Sequence, residues 1–167
     1  GGCVGVALGD GPGYEPSVLL SQADAALYEA KANGSGRSAV FCDEMSRNNE
    51  RRLVIESAVR DSTLLRELEV VYQPIRTART CDLVAFEALA RWKSSVLGEV
   101  SPSEFIPIAE QMNMISPLTE RSLEIAACCA REWPAQVSLS FNVSAVYLCA
   151  EEASQKILAI LESSNFP

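Results

Sequence analysis

The sequence contains no histidine. That single absence removes Ser-His-Asp hydrolysis, zincin-type metalloproteolysis and phosphodiesterases of the HD type, all of which need imidazole as a base or a metal ligand. Cysteine is present but never at Cys-x-x-Cys spacing. Cys3, Cys42, Cys81, Cys128, Cys129 and Cys149 are scattered, several of them in apolar runs where a reduced thiol packs as a small hydrophobe. A reducing, cytoplasmic setting is therefore expected rather than a disulfide framework. Long apolar runs are missing too, because charge, Pro or Gly interrupts each one well short of a membrane span, and the opening residues do not read as a signal peptide. No basic run offsets the net charge of −8, which argues against DNA or RNA as a partner. What remains for chemistry is carboxylate and amide oxygen, with metal ions to supply positive charge if the ligand is a small anion.

The 167 residues are 48% hydrophobic and 22% charged, ordinary for a soluble globular chain holding one domain or pieces of two. The chain lacks an initiator Met, opens inside an apparent strand (Cys3 to Leu8) and stops at Pro167 after a helix, so it reads as a window from a longer protein. A turn rich in Gly and Pro (Gly9 to Gly13) precedes an amphipathic helix, Ser17 to Lys31, whose apolar stripe is Leu20, Ala23, Leu27 and Ala30. Asn33-Gly34-Ser35-Gly36 ends that helix, and a short strand, Ser38 to Cys42, follows. Residues 43–66 are polar, with Leu53, Ile55, Val59 and Leu64 spaced loosely as the stripe of a connecting helix.

From Glu67 the pattern changes to strands. Leu68 to Ile75 and Leu83 to Trp92 are separated by seven residues, too few for a parallel crossover, so they are expected to form an antiparallel hairpin. Two helical stretches, Pro102 to Met112 and Leu118 to Trp133, lead to a third strand at Gln136 to Ala145. That excursion is long enough for a right-handed crossover, so the second and third strands should be parallel. Glu151 to Ser164 closes the chain as a helix. Alternation puts Leu83, Ala85, Glu87, Leu89 and Arg91 on one face of the second strand, and Ser138, Ser140, Asn142 and Ser144 on one face of the third. Glu87 and Asn142 should then meet at the C-terminal mouth, where barrels of this kind do chemistry. Both offer hard oxygen suited to Mg²⁺ or Mn²⁺.

The second strand contains the tripeptide Glu87-Ala88-Leu89, which alone would occur by chance in about one chain in ten of this length. Its neighbours make it specific: Val70-Val71-Tyr72-Gln73-Pro74-Ile75 before it, then Ser101-Pro102-Ser103-Glu104-Phe105-Ile106-Pro107-Ile108-Ala109-Glu110 and Ser140-Phe141-Asn142-Val143-Ser144 after it. Together they resemble the opening of an EAL domain, the cyclic di-GMP phosphodiesterase family. The segment Ala23-Asp24-Ala25-Ala26-Leu27-Tyr28-Glu29-Ala30-Lys31 resembles the last helix of a GGDEF (diguanylate cyclase) domain. The expected fold class is thus α/β: the end of a GGDEF domain over 1–42, a linker helix over 43–66, and over 67–167 the first part of a modified TIM barrel whose first strand is antiparallel.

The resemblance implies a bacterial signalling protein that hydrolyses cyclic di-GMP to linear pGpG, with Glu87 and Asn142 as metal ligands and Gln73, Leu89 and Arg91 at the substrate. The Asp pair, the Lys and the later Glu ligands of the family belong to strands beyond Pro167, so this stretch alone should be inactive, with an unpaired sheet edge prone to association. Homodimerisation through EAL domains is a further implication; the expected location is cytoplasmic, and anchoring of the intact protein through upstream segments stays open. Lys31 matches a lysine that reaches nucleotide phosphates in GGDEF domains, although the basic residue that should follow it is displaced to Arg37 behind Asn33-Gly34-Ser35-Gly36. Plain alternatives stand beside each role. Glu87 can pair with Arg91, Asn142 can cap the next turn, and Lys31 suits the C-terminal dipole of its helix. Two other functions compete: a non-catalytic receptor for cyclic di-GMP, and a protein whose working part is the cyclase.

Overall fold

The computed structural model describes residues 1–9 and 15–166. It divides into two compact units, Gly1–Val54 and Ile55–Pro167.

In the first unit, β1 (Val4–Val6) and β2 (Ser38–Val40) pair in parallel, with α1 (Pro16–Ala32) as the crossover between them. Gly5 permits this packing. A Cβ there would lie 2.2 Å from the Ala23 carbonyl oxygen and the Leu27 nitrogen, so the helix backbone rests directly on the strand. The same closeness selects small residues: α1 buries Ala25, Ala26 and Ala30, whereas Leu20, expected on the apolar stripe, is 65% exposed. Beyond Asn33, Gly34 adopts a left-handed φ of +111° and its N–H bonds the Lys31 carbonyl at 3.1 Å, the glycine stop that the sequence implied. All of the turn expected before α1 except Gly9 lies outside the described residues.

The helix expected over 43–66 is two helices, α2 (Asp43–Arg60) and α3 (Thr63–Arg66). Ser62 sits at φ 61°, and Asp61 Oδ1 accepts the Thr63 N–H at 2.9 Å. Short polar side chains compete with the helical backbone for its own hydrogen bonds, and here they win. Within the first unit, the Arg52 guanidinium of α2 lies 3.7 Å from the centre of the Tyr28 ring.

The second unit is built on β3 (Leu68–Arg76) and β4 (Leu83–Ser94), antiparallel as expected. β4 then turns into β5 (Gly98–Val100), a three-residue strand too short to announce itself by alternation. Next come α4 (Pro102–Gln111), α5 (Ile115–Ala130), β6 (Ser138–Phe141), α6 (Ala145–Leu148) and α7 (Ala153–Ser163). β6 pairs in parallel with β4, so β4 carries β3 along one edge and β6 and β5 along the other. α5 begins and ends three residues earlier than its pattern suggested. Asn113, at φ 57°, makes the turn before it, and Pro134 disfavours helix in the residue ahead of it. β6 is also shorter than expected, because Ser144 already caps α6.

Trp92 organises the core. It is 1% exposed, stacks edge-on against Phe105 at 5.9 Å, and joins Ile55, Val59, Leu68, Val100 and Ile108 in one buried cluster. Its indole N–H donates to Glu67 Oε2 at 2.9 Å, while Glu67 Oε1 accepts the Ser95 N–H at 3.2 Å. α4 starts with a full capping box, Ser101 with Glu104, and Pro102 in its first turn. The thiols do not pack as the sequence suggested: Cys42, Cys81, Cys128, Cys129 and Cys149 are exposed, and only Cys3 is half-buried. On the surface-facing side of a helix or in a turn, an apolar neighbour in sequence is no neighbour in space.

The hydrogen bonds from Ser95 and then from Trp92 hold the Glu67 carboxyl below its ordinary value. A depressed folded-state value means that the stabilisation is present above the unfolded carboxyl's pKa and is lost as pH falls through the folded one. Glu67→Gln should therefore be less stable than the wild type near neutrality, and the gap should narrow as the pH falls below the ordinary carboxyl range, read as urea midpoints across pH. Parallel curves for the two proteins would contradict this role for Glu67.

Candidate active site

The register of β4 sets the geometry. On its parallel edge Ala85 faces Ser138, Glu87 faces Ser140 and Ala88 faces Phe141. Glu87 and Ser140 thus share a face, and Asn142, two residues beyond Ser140, follows on that face just past the end of β6. Asn142 Nδ2 donates to Glu87 Oε1 at 2.6 Å, joining residues 55 apart in sequence.

On the antiparallel edge the pairing departs from a simple count along the hairpin. A plain hairpin register would set Gln73 opposite Ala85, but Gln73 pairs with Glu87 itself. The difference arises at the hairpin end, where Arg76 pairs with Leu83 and Ile75 with Ala85, leaving Val84 as the extra residue of a bulge. The turn that imposes this is tied internally, with Thr77 N–H bonded to the Asp82 carbonyl at 3.0 Å and Arg76 Nη1 to the Cys81 carbonyl at 2.8 Å. Gln73, Glu87 and Ser140 consequently form one row across three strands, and Asn142 reaches Glu87 from just past the end of β6.

Behind this row, on the opposite face, the sheet is held by aromatic contacts. Trp133 meets Tyr72 edge-on at 5.2 Å and Phe86 at 5.0 Å. Burial there pushes the Tyr72 phenol well above its usual range. Further along β4 come Leu89 and Arg91, which border a cavity of about 350 Å³ whose wall is mostly apolar, with Ala88 and Ala90 of the opposite face and Ile106 and Leu118 of the covering helices, and with Glu110, Asn142 and Ser144 among its polar members. The Arg91 guanidinium donates to the Ala90 carbonyl at 2.8 Å rather than to Glu87, so the plain ion-pair reading of these two residues does not hold. Nor does Asn142 cap the next turn. That task falls to Ser144, whose Oγ accepts the Val146 N–H at 3.2 Å. Lys31 lies in the first unit, exposed in the last turn of α1.

Two residues escaped the sequence reading. Glu110 accepts a hydrogen bond from Ser144 Oγ at 2.6 Å across the cavity wall. A signal for it existed, since an acidic residue in the last turn of a helix opposes the dipole and asks for another partner. Ser144 itself was expected on a strand face, not at a helix cap.

The donor set suits a hard cation in two of its positions. Glu87 offers carboxylate oxygen, and Asn142 offers Oδ1 once its amide is turned, which would bring two oxygens close together and so calls for a cation between them. Among the described residues no group of three or more acidic, thiol or imidazole side chains converges.

A parallel strand pair carrying a carboxylate and a carboxamide where its pairing ends, entered by an antiparallel strand, defines the class as the opening of an α/β-barrel-type scaffold. The EAL domain model matches residues 56–167, and the chain belongs to that family. It is 34% identical over 162 residues to the uncharacterized protein y4lL of Sinorhizobium fredii, covering 97% of this chain and 20% of that protein. It is 40% identical over 115 residues to the biofilm architecture maintenance protein MbaA of Vibrio cholerae, covering 69% and 14%. To the bifunctional diguanylate cyclase/cyclic di-GMP phosphodiesterase MucR of Pseudomonas aeruginosa it is 31% identical over 147 residues, covering 86% and 22%. The chain thus spans about a fifth or less of these relatives' lengths. Among solved structures, the MucR phosphodiesterase in complex with c-di-GMP superposes with a TM-score of 0.63 at 25% identity, covering 68% of this chain and 47% of that one.

Because like charges directly opposite one another on a sheet repel, Gln73→Glu should cost up to about 1 kcal/mol at neutral pH and little below about pH 4. Denaturation midpoints at the two pH values measure this. A loss independent of pH would contradict the pairing of residue 73 with Glu87.

Proposed function

We propose that the full-length protein is a cyclic di-GMP phosphodiesterase that opens one phosphodiester of its substrate to give linear pGpG. The observation that carries this reading is the pairing of Glu87 with Asn142, 2.6 Å apart where the parallel pairing of β4 with β6 ends. Membership of the EAL family and the relatedness to MucR support it. Glu87 and Asn142 would hold Mg²⁺ or Mn²⁺, which supplies charge neutralisation and water activation when bound. Arg91, already at the cavity wall and free of Glu87, donates to a phosphate oxygen. Leu89 packs against the nucleotide, and Gln73 orients the Glu87 carboxylate from the neighbouring strand. In the reaction the oxygen of water bonds to phosphorus, one ring P–O bond breaks, and the leaving oxygen takes up a proton.

The same reading makes residues 1–42 the end of a GGDEF domain, residues 43–66 its linker, and Lys31 a nucleotide-phosphate contact. It also sets the reaction in the cytoplasm and has the EAL domains pair as homodimers. No helix among the described residues is long and apolar enough to cross a membrane. A second reading is a receptor that binds cyclic di-GMP without cleaving it.

Turnover of cyclic di-GMP to pGpG by the full-length protein with Mg²⁺ or Mn²⁺ tests the proposal. Glu87→Ala should lower kcat by about 100-fold or more. Arg91→Ala should weaken substrate binding by about 10-fold, the worth of one charge-assisted hydrogen bond. Tight binding without turnover by the wild type would transfer the case to the receptor reading.

A further inference from the structure

Asn142 stands in a stretch with little of its own to hold it. β6 ends at Phe141, and α6 does not begin until Ala145. Between them, beside the Asn142–Glu87 bond itself and the Ser144 carbonyl that accepts the Leu148 N–H, the side chain of Ser144 ties the turn down twice. Its Oγ accepts the Val146 N–H at 3.2 Å, capping α6, and donates to Glu110 Oε1 at 2.6 Å, reaching the last turn of α4, 34 residues earlier. A hydroxyl has one proton to give and lone pairs to accept with, so both bonds are made at once. α4 is in turn a fixed post: it begins in a capping box and buries Phe105, Ile108 and Ala109 in the core. A part-buried hydroxyl-to-carboxylate bond is short, charge-assisted and directional. Glu110 sits at the unfavourable end of the helix dipole, where its own helix gives it no reason to be.

We propose that Glu110 and Ser144 are positioning residues that fix the turn carrying Asn142, and so set the direction in which the Asn142 carboxamide addresses Glu87 and the cation between them. The inference rests on the reading of Asn142 as a metal ligand. Orienting groups of this kind typically change metal affinity or activity by about 10- to 100-fold when removed.

The test is a Mn²⁺ titration of the full-length protein followed by electron paramagnetic resonance without substrate, beside turnover at graded Mg²⁺ and a thermal melt. Four variants are compared with the wild type. Glu110→Ala leaves the cap on Val146 intact and removes only the tether, while Glu110→Gln keeps an acceptor for the Ser144 hydroxyl. Ser144→Ala removes both bonds, and Ser144→Thr keeps the hydroxyl. Glu110→Ala and Ser144→Ala should weaken Mn²⁺ binding about 10-fold or more and shift the Mg²⁺ dependence of turnover to higher concentration, with KM for the dinucleotide little changed. The Gln and Thr variants should stay near the wild type. Unchanged Mn²⁺ affinity in Glu110→Ala, or a loss of activity equal at all Mg²⁺ concentrations that tracks a lower melting temperature, would overturn the proposal. Asn142→Ala separates the two levels: if it too binds Mn²⁺ like the wild type, the ligand reading fails, whereas loss in Asn142→Ala alone sinks only the tether.

Discussion

Everything at the site face depends on the double pairing of β4. It hydrogen-bonds to β3 along one edge and to β6 and β5 along the other, so its register fixes three neighbours at once. Side chains alternate with a strict period of two, and a slip of one residue on either edge would turn the polar row into the helix-packed layer. The register is locked from both ends of the strand. At the far end Trp92 is buried and its N–H is taken by Glu67. At the hairpin end the bulge at Val84 and the bonded turn from Thr77 to Asp82 set the count. Between these two locks Glu87 has no freedom to choose its partners.

The polar row is thereby an outcome of packing on the reverse face. Trp133 braces Tyr72 and Phe86, and the residues that alternate with those two, Gln73 and Glu87, are driven to the other side. Apolar burial on the order of 1.5–3 kcal/mol per large side chain outweighs the roughly 1 kcal/mol of a typical hydrogen bond. The 2.6 Å bond between Asn142 and Glu87 is a consequence of that arrangement rather than its cause. Its donor is an amide nitrogen, the end of a carboxamide that a carboxylate accepts from. A bound Mg²⁺ or Mn²⁺ would demand the opposite amide oxygen.

Much of this was legible in the residues. Seven residues between strands exclude a crossover, and the hairpin followed. Alternation assigned Glu87 and Asn142 to one face, and their bond bears out that part of the reading. What was hidden was hidden for physical reasons. A bulge adds one residue without disturbing the apolar pattern on either side, so the pairing of Gln73 with Glu87 could not be counted from the loop. β5 is too short for periodicity to register. The break at Asp61 and Ser62 depends on a local contest between side-chain and backbone hydrogen bonds that a loose apolar stripe does not reveal. Leu20 and the exposed thiols were misjudged for a common reason: which face of a helix is covered is a property of its neighbours, as Gly5 against α1 illustrates.

The central claim is that Glu87 and Asn142 form two positions of a divalent-cation site, with the amide of Asn142 turned by the ion. Anomalous diffraction from crystals of the full-length protein grown with Mn²⁺ tests it most directly. The account predicts a peak about 2.1 Å from both a Glu87 carboxylate oxygen and Asn142 Oδ1, with the Asn142 nitrogen no longer bonded to Glu87. A peak elsewhere, or an Asn142 nitrogen still bonded to Glu87 in crystals saturated with Mn²⁺, would contradict it.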